Sequence, residues 1–219
     1  DEWENLYVLA GGARGTRILD MKSEAFAPFN GTSLAEISAH LGKSPEEAIL
    51  DLILAEKGDP TAIFFHGSEE NLQTILKQPW VCLGSDIGSF TREARQVTHP
   101  RAFGSFARFL GHYCRDLGLL PLEEGVRRIT SLPAGLLGID QQRGCLRPGY
   151  YADITVFDPA AIQDLATYEA PLQYASGVHH VLVNGQVVVE NEVHTGAKPG
   201  SFVRGPGNYT DSSNPGSQG

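Results

Sequence analysis

No run in this chain approaches the ~20 consecutive apolar residues that a membrane span requires, although 41 % of its 219 residues are hydrophobic. Positive charge is scarce. Seventeen Lys and Arg stand against 26 Asp and Glu, a formal net charge of −9, which argues against nucleic acid or an anionic membrane as partner. Cysteine is scarce as well. Cys82, Cys114 and Cys145 are odd in number and form no Cys-x-x-Cys pair, which points to reduced thiols and a cytoplasmic compartment. No signal peptide precedes Asp1 and no Met opens the chain, so the expectation is a fragment of a longer protein. What is present is enough apolar residue for one large domain or two small ones.

The clearest local signals are two helix starts. Ser33 and Glu36 form a capping box ahead of Leu34, Ile37 and Leu41, and Gly42 stops that helix. Ser44, Pro45 and Glu47 repeat the device, and a second helix runs to about Glu56 with Leu50, Ile53 and Leu54 set to pack. Upstream, residues 5–9 predict a short strand and residues 10–31 an irregular stretch with a turn at Pro28, Asn30 and Gly31. After the Gly58-Asp59-Pro60 break, Thr61–Phe65 predicts a strand. Ser68 then caps a helix with Leu72, Ile75 and Leu76 inward, and Val81-Cys82-Leu83-Gly84 predicts a buried strand, Cys82 being a small core residue. So tight a strand–helix–strand unit sets the two strands adjacent and parallel. Asp86 stands at the C-terminal mouth of the second, where parallel α/β proteins carry their chemistry.

A loop follows from Ile87 to Pro100, with Arg92 and Arg95 in it and Arg101 just beyond. Its length suits a functional or mobile segment. Phe103, Phe106, Ala107, Leu110, Cys114 and Leu117 step at helical spacing, a core stripe, and Pro121 and Pro133 start two more helices. Beyond Gly138 the pattern turns to strands at 153–157 and 178–183. Asn184-Gly185 predicts a hairpin that pairs the latter with Val187-Val188-Val189. From Pro206 on, Gly, Ser, Pro and Asn predict a disordered tail.

Several stretches taken together are more specific. Gly84-Ser85-Asp86, His99-Pro100-Arg101-Ala102-Phe103-Gly104-Ser105-Phe106, Thr130-Ser131-Leu132-Pro133-Ala134, the run Arg143 to Asp153 with Pro148-Gly149 and Ala152-Asp153, Val183-Asn184-Gly185, and His194-Thr195-Gly196-Ala197-Lys198-Pro199-Gly200 resemble the D-aminoacylase family (N-acyl-D-amino-acid deacylases) of the amidohydrolase superfamily. The likeness runs from Thr61 to Gly207, and more loosely over 33–56. It implies an α/β fold: the C-terminal part of a (β/α)8 TIM-type barrel over residues 1–140, with 10–58 a helical insertion, then a small β-sandwich module over 141–205 and the tail over 206–219. It also implies metal-dependent hydrolysis of the amide bond of N-acyl-D-amino acids, with one or two zinc ions. Asp86 matches the family's general base beside the metal, and so is both catalytic residue and metal neighbour. Arg101 matches an arginine that holds the substrate carboxylate in a bidentate fork. His66, just past a strand end, and Ser85, inside the motif, are the other substrate-binding candidates.

The family's remaining metal ligands include a His-x-His pair, and none of the seven histidines here makes one. The expectation is therefore a partial enzyme, most of whose zinc ligands lie outside this chain and which is inactive alone. One local departure stands out: where many members place Gly directly after the Asp, this chain has Ile87 and then Gly88. Two other readings compete. A cyclic-amide hydrolase would share the Ala152-Asp153 element without needing Arg101, and a non-catalytic fragment would bind no zinc.

Overall fold

In a computed structural model of the chain, residues 4–58, 60–88 and 98–206 are described. Arg92, Arg95, most of the expected 87–100 loop and all of the expected tail past Pro206 lie outside them. The chain forms two compact units. The first holds residues 1–78, 85–105 and 164–175, and the second holds 79–84, 106–163 and 176–219.

The first unit is built on a helical pair and a two-stranded ribbon. Helices α2 (Leu34–Leu41) and α3 (Pro45–Ala55) start where predicted, each with a complete capping box, Ser33 with Glu36 and Ser44 with Glu47. Strand β1 (Thr16–Leu19) pairs antiparallel with β2 (Thr61–Phe64), Thr16 opposite Phe64 and Leu19 opposite Thr61. Ile18, Met21, Phe26, Leu34, Ile37, Ala48 and Leu52 form one buried cluster that joins ribbon and helices.

Four expectations are corrected in this unit. Residues 6–9 form a helical turn, α1, because Asn5 caps it by accepting the Val8 N–H; four apolar residues do not by themselves distinguish strand from helix. The stretch 10–31 contains β1. On α3 the packed residues are Ala48 and Leu52, while Leu50 and Leu54 are exposed. Most consequentially, the partner of β2 is β1, and the expected parallel pair of Thr61–Phe65 with Val81–Gly84 is not formed.

Residues 81–84 form no strand and belong to the second unit. There the Leu83 N–H donates to the carbonyl of Arg128 on α6 (Leu122–Ile129), and the Arg127 guanidinium donates to the Pro79 carbonyl at 2.8 Å. Both arginines are held by Glu124, whose carboxyl they pull down to about 2, Arg127 contributing most. A run of four apolar residues ending in Gly has found a helix to lean on and no strand to pair with. Helix α5 (Arg101–Arg108) continues as a π-helix over Phe109–Asp116, whose Phe109, Leu110, Tyr113 and Cys114 are buried. Gly125 lets α6 approach it: an added Cβ would lie 2.6 Å from the Cys114 sulfur. Strands β3 (Ile154–Phe157), β4 (Val178–Val183), β5 (Gln186–Glu190) and β6 (Val193–His194) form an antiparallel sheet in chain order. Its β4–β5 turn is Asn184-Gly185, both at positive φ, as the sequence predicts.

The core assignment on α3 has a direct test. Leu52→Ala should lower the unfolding free energy of the chain by about 2–5 kcal/mol, whereas Leu54→Ala should change it by less than about 0.5 kcal/mol. Denaturant unfolding of the two variants compares them; equal losses would place Leu54 in the core after all.

Candidate functional site

The first unit holds an open cavity of about 1170 Å³. Its floor is the β1–β2 ribbon, contributing Leu19, Asp20 and residues Thr61 to His66. The ribbon is prolonged by the Phe65 N–H donating to the Gly15 carbonyl at 2.9 Å, which sets where Phe65 and His66 leave it. One wall is α4 (Glu69–Leu76), started by Ser68, whose hydroxyl accepts the Asn71 N–H. Of its three predicted inward residues only Leu76 is buried, while Leu72 and Ile75 face the cavity. That is a second correction of helix facing: the apolar stripe lines a hollow instead of filling a core.

Asp86 and Arg101 meet on this cavity. Arg101 Nη1 lies 3.2 Å from Asp86 Oδ2, with side chains 40 % and 89 % exposed. Asp86 sits at φ 49°, a left-handed conformation that Asp and Asn tolerate better than other non-glycine residues. The Nε of Arg101 is buried and has no hydrogen-bond partner among the described residues. His66 lines the same cavity and is exposed; Ser85 is half-buried and is not among the lining residues.

Sequence reasoning singled out Arg101 and missed the group that holds it. His99 Nδ1 accepts the backbone N–H of Arg101 at 3.0 Å, which puts the proton of the neutral ring on Nε2. That nitrogen lies 3.4 Å from the Tyr168 hydroxyl, and the two rings stack edge to face at 5.2 Å. Burial, and then the positive charge of Arg101, hold the His99 pKa below the usual histidine range. The His-Pro-Arg spelling was the available signal for His99. Nothing in the sequence pointed to Tyr168, which comes to His99 from 69 residues away through the fold of residues 164–175.

The donor set for zinc is another matter. A catalytic zinc takes three protein ligands, and among the described residues no group of three or more His, Cys, Asp and Glu could hold a metal ion. Asp86 is paired with a cation instead. The described residues do not by themselves make a zinc centre.

Residues 26–189 match the amidohydrolase family. The chain belongs to that family. Among curated amidohydrolase relatives, it is 41 % identical to the D-aminoacylase of Alcaligenes xylosoxydans xylosoxydans over 81 % of its own length and 35 % of the relative's. It is 36 % identical to the N-acyl-D-aspartate deacylase of the same organism, over 88 % of this chain and 36 % of that one. A solved D-aminoacylase, described as defining a novel subset of amidohydrolases, superposes with a TM-score of 0.74 at 40 % identity, covering 87 % of this chain and 37 % of that one. The N-acyl-D-glutamate deacylase of Bordetella bronchiseptica, solved with zinc and a phosphonate mimic of the tetrahedral intermediate, superposes with a TM-score of 0.71 at 36 % identity, over 82 % and 35 %. This chain therefore spans about a third of the length of the amidohydrolases it matches.

The His99 corner predicts a pH dependence with a definite sign. The folded chain binds this proton less readily than the unfolded chain, so His99 contributes stability that is complete above about pH 6.5 and lost as pH falls through its depressed value. In an NMR titration the His99 ring should show a midpoint below 6.5, and Arg101→Gln should raise it. A midpoint at or above 6.5 in the parent would contradict the geometry.

Proposed function

We propose that this chain is the part of an N-acyl-D-amino-acid deacylase that carries the general base and the carboxylate-binding residue. The observation that carries this reading is the pairing of Asp86 with Arg101 on one cavity. Hydrolysis of an acyl amino acid needs a base at the scissile amide and a cation at the carboxylate one carbon away. The two side chains pair at 3.2 Å without substrate and separate when a substrate carboxylate enters between them.

The chemistry for these residues is short. The substrate carboxylate takes the exposed end of the Arg101 guanidinium that otherwise pairs with Asp86. That frees Asp86, which accepts a proton from the attacking water as its oxygen bonds to the acyl carbon. Asp86 then gives the proton to the amide nitrogen, the C–N bond breaks, and a carboxylic acid and a D-amino acid leave. Zinc would be held chiefly by residues outside this chain, with Asp86 beside it. His66 and Ser85 are proposed as further substrate contacts, and His66 has the better claim because it lines the cavity.

The likeness to solved D-aminoacylases supports assigning residues 1–140 to the C-terminal part of a (β/α)8 barrel, with 10–58 inserted, and residues 141–205 to a β-sandwich module. The three thiols are free, and no helix among the described residues is long and apolar enough to cross a membrane. Both fit a cytoplasmic enzyme acting on a small molecule.

In the enzyme that contains this chain, Asp86→Asn should abolish turnover while substrate still binds, since Asn keeps the backbone conformation and loses the base. Arg101→Ala should weaken substrates with a free carboxylate by about 1.5–3 kcal/mol, because the side chain is partly exposed. It should leave the corresponding carboxamides unchanged. Steady-state kinetics on both substrate types decide it: equal damage to both would make Arg101 structural.

A further inference from the structure

The segment Asp164–Ala175 leaves the second unit's run of sequence and packs with the first. It lies on the start of α5 with little room to spare. An added Cβ on Gly104 would come within 3.1 Å of the Asp164 Cβ and 3.8 Å of the Ala166 Cβ, and Ala166 is buried. Phe103 stacks edge to face on Tyr174 at 5.4 Å. Within the segment, Gln173 Nε2 donates to the carbonyls of Leu165 and Ala170, and the Thr167 hydroxyl accepts the Ala170 N–H. These bonds shape a strap with Tyr168 near its middle.

Tyr168 is the point where the strap meets the site. Its ring packs on Phe65, centroids 4.8 Å apart, and on His99. The Arg17 guanidinium lies 5.8 Å from the Tyr168 ring centroid and 5.5 Å from that of Phe65, and it pairs with Glu169 of the strap at 3.1 Å. These contacts together restrain the Tyr168 ring. The Tyr168 hydroxyl then faces His99 Nε2, whose other nitrogen holds the Arg101 backbone.

We infer that Tyr168 is a positioning residue: carried in by the 164–175 strap, it fixes the His99 ring, and His99 fixes the backbone from which Arg101 reaches the cavity. Gly104 belongs to the same device, because it is what lets the strap close on α5. The role of Arg101 toward a substrate carboxylate rests on the proposed function; the positioning chain does not.

Two measurements separate these. In this chain, Tyr168→Phe keeps the stacked ring and removes the hydroxyl. Hydrogen exchange at the Arg101 backbone amide, protected by His99 Nδ1, should then accelerate roughly 3- to 10-fold, the range for loss of one neutral hydrogen bond. The Ala107 amide of the same helix should be unchanged and serves as the control for folding. Gly104→Ala should speed exchange at Arg101 in the same direction. Unchanged exchange at Arg101 in Tyr168→Phe would overturn the inference whatever the enzyme does. In the enzyme, Tyr168→Phe should raise KM for acyl amino acids several-fold, leave kcat within about 2-fold, and spare carboxamides. Faster exchange without that KM split would keep the positioning role and refute the carboxylate clamp.

Discussion

The site rests on the pairing of β1 with β2. Two strands alone are marginal in water, and this ribbon is stabilised from beneath. Thr16, Ile18 and Leu19 are buried, and Ile18 packs with Leu34, Ile37 and Leu52 of the capped helices. The alternation along β1 then matters twice. Thr16 and Ile18 lie on one face and anchor the ribbon, while Arg17 on the other face lies over Phe65 and Tyr168, and Leu19 on that same face lines the cavity. A shift of one residue in register would exchange the two sets. The floor of the cavity, the exit of His66 and the restraint on Tyr168 all follow from this one register.

The Asp86–Arg101 pair is the opposite kind of interaction. With Asp86 almost fully exposed, it belongs to a class that contributes about 0–1 kcal/mol to folding. Its importance lies in its weakness. Under the proposed function, a substrate carboxylate would displace Asp86 from the guanidinium at small cost, whereas a buried pair of the same geometry would resist by several kcal/mol. The fold therefore spends little on holding the two side chains together and more on holding the Arg101 backbone, through His99 and the strap behind it.

What the sequence disclosed divides along the same line. Signals that act over four residues were legible: both capping boxes, the Ser68 cap and the Asn184-Gly185 turn all appear as read. Asp86 and Arg101, picked out from the local spellings Gly84-Ser85-Asp86 and His99-Pro100-Arg101, do meet on one cavity. Pairing over long separation was not. Val81–Gly84 reads as a strand by apolarity, yet Leu83 and Pro79 are taken up by Arg128 and Arg127 of α6, residues whose charge offers no hint of that use. The faces of α3 and α4 were misread because Leu50, Leu54, Leu72 and Ile75 carry the same hydrophobic signal whether they meet a core, a cavity or solvent. Tyr168 was invisible for the plainest reason: a tyrosine in a loop acquires a role only from what folds against it.

Asp86 shows how one position can meet two demands. The chain must turn there with φ at 49°, and among side chains with a carboxylate Asp accepts that conformation most readily, its short polar group bonding locally at little steric cost. Glu at this position would strain the turn and set its carboxylate one methylene farther out. Gly would relieve the turn and remove the carboxylate. The backbone requirement thus selects between the two acidic residues before any chemistry is considered, and the chemistry then requires an acid. Ile87 and Gly88 continue the cavity wall from this turn, so the path after Asp86 carries an apolar side chain onto the cavity. That isoleucine bounds the cavity beside Asp86 with an apolar surface.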